Sequence, residues 1–126
     1  MAINVINTKA APAPIGPYSQ GIVHGNTFYP AGQIGLNPET GNLEEGIEAQ
    51  ARRAFANLKV LCEAAGSDLS HVVKVAVLIT DMADFPIVNA VMSEVLSAPF
   101  PARTCYAAAA LPKGALVEID ATVALP

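Results

Sequence analysis

Few side chains in this sequence are equipped for catalysis, so the search for a reactive centre starts from a short inventory. The 126 residues include two histidines, two cysteines and three arginines. The sequence contains no phosphate loop of the Gly-Lys-Ser type, no dinucleotide-binding glycine fingerprint and no histidine pair at metal spacing. His24 lies beside a predicted hairpin turn and His71 at the start of a predicted strand, so both are expected to face solvent. These patterns disfavour zinc and nucleotide-cofactor chemistry.

A site for a small anion would depend on one of the three arginines. The formal net charge is −4, so the chain as a whole mildly repels anions and a local cation must hold them in a sheltered pocket. A guanidinium grips a carboxylate through two parallel hydrogen bonds, which lysine cannot do. Arg103 is the candidate, although on pattern alone it is equally well explained as a strand-end arginine paired with Glu118 or Asp120.

Several short motifs occur in a characteristic order along the chain. They are Gly16-Pro17-Tyr18, Ala31-Gly32-Gln33-Ile34-Gly35, Val88-Asn89, Phe100-Pro101-Ala102-Arg103-Thr104-Cys105, and Leu111-Pro112-Lys113-Gly114 followed by Val117-Glu118-Ile119. Together they closely resemble the reactive intermediate deaminase family (RidA, YjgF). The resemblance covers nearly the whole chain, and the Phe-Pro-Ala-Arg segment with the later Glu-Ile pair is its most specific part.

The resemblance implies both an architecture and an activity. The expected architecture is α/β (α+β): a chorismate-mutase-like single domain over residues 1–126, assembled as a homotrimer with a site in each cleft between neighbouring subunits. Family members hydrolyse 2-imino acids, the tautomers of enamines released by pyridoxal-phosphate-dependent dehydratases, to 2-oxo acids and ammonia. The implied ligand is therefore a small 2-imino or 2-oxo acid, and neither a cofactor nor a metal is expected.

Three side chains receive catalytic roles when the family motifs are carried over at matching positions. Arg103 would hold the substrate carboxylate, Glu118 would accept a hydrogen bond from water and relay a proton, and Tyr18 would donate to substrate or water. Imine hydrolysis has a low intrinsic barrier, so positioning with modest proton transfer suffices. The alternatives are a solvent-facing strand residue for Glu118 and an aromatic lid over the core for Tyr18.

Four further positions are expected to bind substrate by the same resemblance. The backbone at Gly32 and Cys105 would line the reacting end, with Asn89 in support. We expect Cys105 to contribute its backbone rather than a nucleophilic thiol, because no basic partner is identifiable. Ala31 stands where many family members have serine, so a hydroxyl that could contact ligand is missing and substrate range or rate could differ.

Composition excludes several other classes of protein. Only 14% of residues are charged while 52% are hydrophobic, which indicates an unusually neutral surface or one partly covered by other subunits. The acidic balance disfavours nucleic acid as a partner. No apolar run approaches the ~18 residues that span a bilayer, no secretory signal is visible, and the two cysteines suit a reducing cytoplasm.

The elements that must position these residues can be predicted from periodicity. Strands are expected at residues 3–6, 20–24, 27–33, 72–79, 103–110 and 116–125. A helix of about 18 residues is expected from Ile47 with a glycine stop at Gly66, and a second one opened by Asp84 and Pro86 and ended by Pro99. The order favours a mixed sheet of about six strands with both helices on one face.

The last two strands were expected to form a hairpin around Pro112-Lys113-Gly114. Such a hairpin would set Glu118 opposite Ala108, with Arg103 roughly 16 Å away at strand rise and on the opposite face. A bulge, a different register or a site assembled across chains could reconcile this separation with a shared site. Because no third layer is available, association of several chains over the uncovered sheet face is expected.

Two other functions compete with an imine deaminase. The first is a chaperone-like or metabolite-binding trimer without turnover, which the low charge and Ala31 favour. The second is a ribonuclease or translation inhibitor, which the acidic charge and the lack of a basic, aromatic-rich strip disfavour.

Overall fold

The computed structural model describes residues 2–126, which fold into seven strands and two α-helices linked by short 3₁₀ turns. In chain order the elements are β1 (Ile3–Ile6), β2 (Gly21–His24), β3 (Thr27–Pro30), β4 (Gln33–Ile34), α1 (Ile47–Ala64), β5 (Val72–Ile79), α2 (Phe85–Val95), β6 (Ala102–Ala107) and β7 (Val117–Ala124). The 3₁₀ turns are Leu69–His71, Met82–Asp84 and Pro112–Gly114.

Both predicted helices form, and each buries apolar residues that recur at spacings of three and four. Helix α1 buries the face that carries Ala51, Phe55 and Leu58, and it ends at Ala64 before Gly66 at φ 82°. In α2 the buried residues are Val88, Val91 and Met92, and a proline occupies the first turn, where its missing N–H leaves no helical hydrogen bond unmade.

The strands form one mixed sheet in the order β1-β2-β3-β7-β5-β6, with β4 pairing β7 alongside β3. The sheet has one strand more than expected, because the predicted strand 27–33 breaks into β3 and β4 at Ala31-Gly32. Alternate residues of β7, from Val117 to Val123, are buried beneath α1. Helix α2 packs against α1, so both helices cover the same face of the sheet.

The predicted hairpin between the last two strands is wrong. Strand β6 pairs parallel with β5, and β7 pairs antiparallel with the other side of β5. A strand, a helix and a strand in succession form a parallel crossover unit, and β5-α2-β6 is such a unit. The segment from Ala108 to Leu116 then passes the end of β5, where Ala108 N donates to Ile79 O and Thr80 N to Leu116 O.

This strand order places Arg103 and Glu118 on opposite faces of the sheet. Arg103 pairs with buried Val75 and so points to the helix-covered face, whereas Glu118 pairs with Leu78 on the uncovered face. Strand spacing puts the two Cα atoms about 14 Å apart, with β5 between them. The prediction that Arg103 and Glu118 face opposite sides of the sheet is confirmed. The hairpin register from which it was derived is wrong.

The uncovered face of the sheet carries both apolar and polar side chains, since Lys74, Thr104, Asp120 and Thr122 lie on it with Glu118. Large apolar side chains there stay at least partly exposed, and Tyr29 and Tyr106 are about half exposed at 48% and 49%. Ile3 and Val5 of the edge strand β1 continue this surface and are more exposed still. We refer to this surface, formed by Ile3, Val5, Tyr29, Leu78 and Tyr106, as the open face.

Close packing of the backbone makes Gly35 the most sensitive glycine to substitution by alanine. A Cβ added there would lie 2.5 Å from the Gln50 Cα and 2.6 Å from its carbonyl oxygen, and backbone cannot move aside as a flexible side chain can. Gly35→Ala should lower the free energy of unfolding by about 1–3 kcal/mol. Urea denaturation measures this change.

Gly16→Ala provides the control for this prediction. The nearest heavy atom to a Cβ at Gly16 is in the Tyr18 ring at 3.8 Å, an ordinary contact distance. Its effect should stay within about 0.5 kcal/mol, as is usual for surface substitutions. Equal destabilisation by both variants would contradict the packing argument.

Candidate active site

A cavity of about 80 Å³ lies beside Glu118 and collects several of the predicted site residues. Tyr18, Ala31 and Gly32 line it together with Glu118. The walls come from three places: the irregular segment before β2, the connection between β3 and β4, and the turn before β7. Three separate parts of the chain therefore converge on one carboxylate.

Gly32 allows the backbone to lie directly against this carboxylate. A Cβ at this position would collide with Oε2 of Glu118, so no other residue fits without displacing the glutamate. The neighbouring Ala31 is held by its N–H, which donates to Gln20 O at 2.8 Å, and by its carbonyl, which accepts from Gln33 Nε2 at 3.1 Å. The β3–β4 connection is thus fixed beside Glu118.

The carboxyl group of Glu118 holds its proton more tightly than an exposed glutamate does. Partial burial raises the pKa of Glu118, and the negative charge of Asp120 raises it further. Glu118 also points into the cavity rather than freely into solvent. A carboxyl group with a raised pKa is a stronger base, once ionised, than an ordinary glutamate, which suits it to accepting a proton from water.

Tyr18 lies at the mouth of the same cavity. Its side chain is 52% exposed and lines the cavity, so it is not a lid over the core. The phenol oxygen accepts a long hydrogen bond from Ile15 N at 3.4 Å, which leaves its own proton free to donate elsewhere.

Arg103 lies in a second cluster, at the edge of the sheet against α2. Its Nη1 donates to Asn89 Oδ1 at 2.7 Å and lies 3.7 Å from Met92 Sδ. The guanidinium carbon sits 5.0 Å from the centre of the Phe85 ring, within the range of a cation–π interaction. The alternative pairing of Arg103 with Glu118 or Asp120 is wrong, since its side-chain partner is Asn89.

The second cluster opens onto its own cavity of about 360 Å³, lined by Arg103, Asn89, Met92 and Phe100 among others. One guanidinium nitrogen is engaged by Asn89, and the remaining N–H groups are available for a carboxylate. Helix α2 therefore orients a cation at the rim of a cavity large enough for a small acid.

Cys105 follows Arg103 on the same face of β6, two residues along the strand. Partial burial raises the pKa of the Cys105 thiol, and the positive charge of Arg103 offsets this only in part. The thiol is therefore protonated at neutral pH and is a poor nucleophile. The backbone role expected for Cys105 stays a prediction.

Within one chain the predicted site residues thus fall into two groups. Tyr18, Ala31, Gly32 and Glu118 meet at one cavity, while Arg103 and Asn89 meet at another, with Cys105 next to Arg103 on β6. The two groups lie on opposite faces of the sheet, so one chain does not bring them to a common substrate.

Sequence reasoning missed residues in both clusters. Phe85 and Met92 contact Arg103, and their spacing of four and three residues around Asn89 places all three on one face of α2. That spacing is a usable signal, but Met92 also fits the apolar stripe that α2 buries in the core. Gln20 and Lys113 line the Glu118 cavity, and no periodic pattern points to either.

Other features of the described residues do not compete with these clusters. A groove of about 450 Å³ beside α1 contains none of the predicted site residues. His24 is exposed as expected, while the half-exposed His71 contacts Asp68 through Nδ1 at 3.2 Å. Residues 2–126 contain neither a group of ligands that could hold a metal ion nor a helix able to cross a membrane.

Comparison with solved structures defines the class of protein. The fold matches the crystal structure of RidA from an Antarctic Psychrobacter species with a TM-score of 0.95 and 48% identity, covering 97% of this chain and 99% of that one. It also matches TdcF of E. coli, solved with bound serine, with a TM-score of 0.93 and 34% identity over 98% and 99% of the two chains. The fold is that of the RidA-like proteins.

Sequence comparison agrees with the structural class. The family model described as Endoribonuclease L-PSP matches residues 8–125, so the chain belongs to this family, the RidA/YjgF family. A 2-iminobutanoate/2-iminopropanoate deaminase of Dermatophagoides farinae is 48% identical over 122 residues, which are 96% of this chain and 95% of the relative. The Homo sapiens protein of the same name is 44% identical over 118 residues, covering 93% and 86%.

The raised pKa of Glu118 predicts how its substitution changes stability. Because the folded-state pKa lies above the ordinary value of 4.5, folding favours the protonated form. The contribution of Glu118 to the free energy of unfolding is therefore greatest below pH 4.5 and is lost as pH rises through the folded-state pKa. Glu118→Gln should raise the melting temperature at pH 7 and change it little at pH 4.

Thermal unfolding followed by circular dichroism at the two pH values measures this effect. Asp120→Asn is the matched variant, since it removes the repelling charge and keeps the glutamate. It should lower the pKa of Glu118, which a carbon-detected NMR titration reports. A Glu118→Gln variant that is less stable at pH 7 would show that the carboxylate is stabilised by a partner.

Proposed function

We propose that this protein hydrolyses small 2-imino acids to 2-oxo acids and ammonia, as a 2-iminobutanoate/2-iminopropanoate deaminase. The observation that carries the proposal is an arginine oriented by Asn89 at the rim of a cavity, combined with a half-buried glutamate of raised pKa at another. These are the two groups that the reaction needs. The names of relatives at 44–48% identity support the same activity.

The arginine supplies the binding energy that orients the substrate. Every 2-imino acid carries a carboxylate next to the C=N bond, and a guanidinium binds it with two parallel hydrogen bonds. Asn89 and the Phe85 ring hold the Arg103 guanidinium in place, so little ordering remains to be done when substrate binds. The carboxylate then sets the position of the imine carbon.

Glu118 transfers protons during the hydrolysis. Water adds to the carbon of the protonated imine, forming a C–O bond as the C=N π electrons return to nitrogen, and Glu118 accepts the proton that water loses. The same carboxyl group then delivers that proton to nitrogen. Once ionised again, Glu118 accepts the hydroxyl proton as the C–N bond breaks, the C=O bond forms and ammonia leaves. A raised pKa suits both directions of transfer, and Tyr18 at the cavity mouth would donate to water or substrate.

The site is proposed to form between chains. Arg103 and Glu118 lie on opposite faces of one sheet, so a substrate that contacts both must take them from two copies. Arg103, Asn89 and Cys105 would come from one subunit, and Tyr18, Ala31, Gly32 and Glu118 from its neighbour. The exposed apolar side chains of the open face support association. We propose the homotrimer that the family resemblance implies, with a mass three times the 13.0 kDa of one chain.

The competing functions have less support. A trimer that only binds metabolites would show saturable 2-oxo acid binding with no faster release of ammonia from imine. Ribonuclease activity, which the family description mentions, lacks support from a basic surface in a chain of net charge −4. We place the protein in the cytoplasm, where its two free cysteines would stay reduced.

Substitution of Arg103 tests the carboxylate role. A dehydratase that releases 2-aminoacrylate, coupled to trapping of the imine by semicarbazide, reports how fast imine disappears. Arg103→Ala should reduce kcat/KM by about a hundredfold or more, and Arg103→Lys should recover only part of it, because an ammonium lacks the two-pronged geometry. Full activity in Arg103→Ala would rule out the role.

Mixing of two inactive variants tests the shared site. Arg103→Ala and Glu118→Gln are each expected to be inactive, but a co-refolded equal mixture should recover about a quarter of the wild-type activity, because random assembly gives that share of sites both native residues. A mixture of Arg103→Ala with Asn89→Ala is the control. It should show no more than the average of the two variants' own activities, since both residues lie in the same cluster. No recovery in the first mixture would contradict a site between chains.

A further inference from the structure

Few side chains between Thr8 and Tyr18 pack against the rest of the protein. Ala11 is the only residue of this segment with a buried side chain, and the side chains of Ile15 and Tyr18 are more than half exposed. Pro12, Pro14 and Pro17 have no backbone N–H to donate. Hydrophobic burial and a regular hydrogen-bond ladder are therefore both insufficient to fix the wall that carries Tyr18.

The segment also has open space on both sides. The Glu118 cavity lies on one side, and a groove of about 500 Å³ lies on the other, with Ala13 and Gln20 lining both. A thin wall between two solvent-filled spaces gains little from packing, so its position must come from specific bonds.

The side chain of Gln20 supplies these bonds. It is only 4% exposed, and all of its amide atoms are engaged. Oε1 accepts from Thr8 N at 2.7 Å, while Nε2 donates to the carbonyl oxygens of Thr8 at 3.0 Å, Pro12 at 2.9 Å and Ala11 at 3.3 Å. The single side-chain amide of Gln20 thus binds the backbone at Thr8, Ala11 and Pro12, which begin the segment.

The backbone of Gln20 fixes the opposite wall of the same cavity. Its carbonyl oxygen accepts from Ala31 N at 2.8 Å, and Ala31 precedes the glycine that lies against Glu118. Gln20 is therefore bonded to both the Tyr18 wall and the Gly32 wall, and it determines the distance between them.

We propose that Gln20 is a positioning residue that sets Tyr18 relative to Gly32 and Glu118 by anchoring the segment before β2. Its amide touches no substrate and acts only through the backbone groups it binds. The kinetic consequence rests on the proposed imine hydrolysis, whereas the anchoring itself does not.

Hydrogen–deuterium exchange and steady-state kinetics of Gln20→Met test the proposal. Methionine has a similar length but makes none of the four bonds, so exchange in residues 8–18 should become at least about tenfold faster. The value of kcat should fall about tenfold to a hundredfold, as expected when a reacting group is misplaced by about 1 Å. KM should change little, because the carboxylate is held by Arg103 in the other cluster.

Gln50→Met is the matched control, since it removes another buried amide, one that bonds no backbone group between Thr8 and Tyr18. Gln50 is 5% exposed, bonds Leu116 N and Glu44 O, and lines neither cavity. Both variants should lose stability, but at a temperature where circular dichroism shows both folded, only Gln20→Met should speed exchange in residues 8–18. If Gln20→Met does not fold, Gln20→Glu keeps the acceptor for Thr8 N and removes the three donated bonds.

The two measurements separate the possible outcomes. Unchanged exchange in residues 8–18 would overturn the proposal. An unchanged kcat in Gln20→Met, or an equal rise in exchange there in Gln50→Met, would do the same. If the wild-type protein shortens no imine lifetime, the proposed function fails, while the exchange data still decide whether Gln20 anchors the segment.

Discussion

The position of β5 between β6 and β7 is the constraint on which the rest of the structure depends. Because β5, α2 and β6 form a parallel crossover, β6, which carries Arg103, is an edge strand of the sheet. Strand β7, which carries Glu118, lies in the interior of the sheet. The pleat then turns their side chains to opposite faces. A sheet with a β6–β7 hairpin would have placed α2 away from Arg103, and Asn89 could not have oriented the guanidinium.

Neutral amides, rather than charges, hold the loops around the Glu118 cavity. Gln20, Gln33 and Asn57 are buried, and their amides bind backbone groups of the segments that form its walls. Lys113 lines the same cavity, but its charge is not among the causes that shift the pKa of Glu118. Fixing the walls with amides leaves burial and Asp120 to raise the pKa of Glu118.

Much of the fold could be predicted from sequence because periodicity reports which face a residue occupies. The three- and four-residue spacing in α1 and the β-branched run of β5 identified both elements nearly to their ends. Periodicity does not report which strands pair, since a two-residue alternation is the same in a hairpin and in a crossover. The partner of β6 was therefore missed, and the register around Glu118 with it.

The candidate site could be predicted only as a set of residues. The motifs pointed to Arg103, Glu118, Tyr18 and Gly32, and the structure gathers three of these at one cavity. The contacts that orient them were not visible: Met92 reads as core in any helical pattern although it also touches Arg103, and a buried glutamine such as Gln20 has no periodic signature. Such contacts depend on tertiary packing, which a local pattern does not contain.

The separation of Arg103 from Glu118 within one chain has a consequence for how the protein responds to its own abundance. In the proposed site between chains, an isolated chain would carry each half and complete none, so turnover per chain would depend on the fraction of chains that are assembled. On dilution, activity would fall more steeply than protein concentration, and any ligand that bridges the two halves would hold the subunits together. Catalytic capacity would therefore follow association by mass action, even though every chain remains folded.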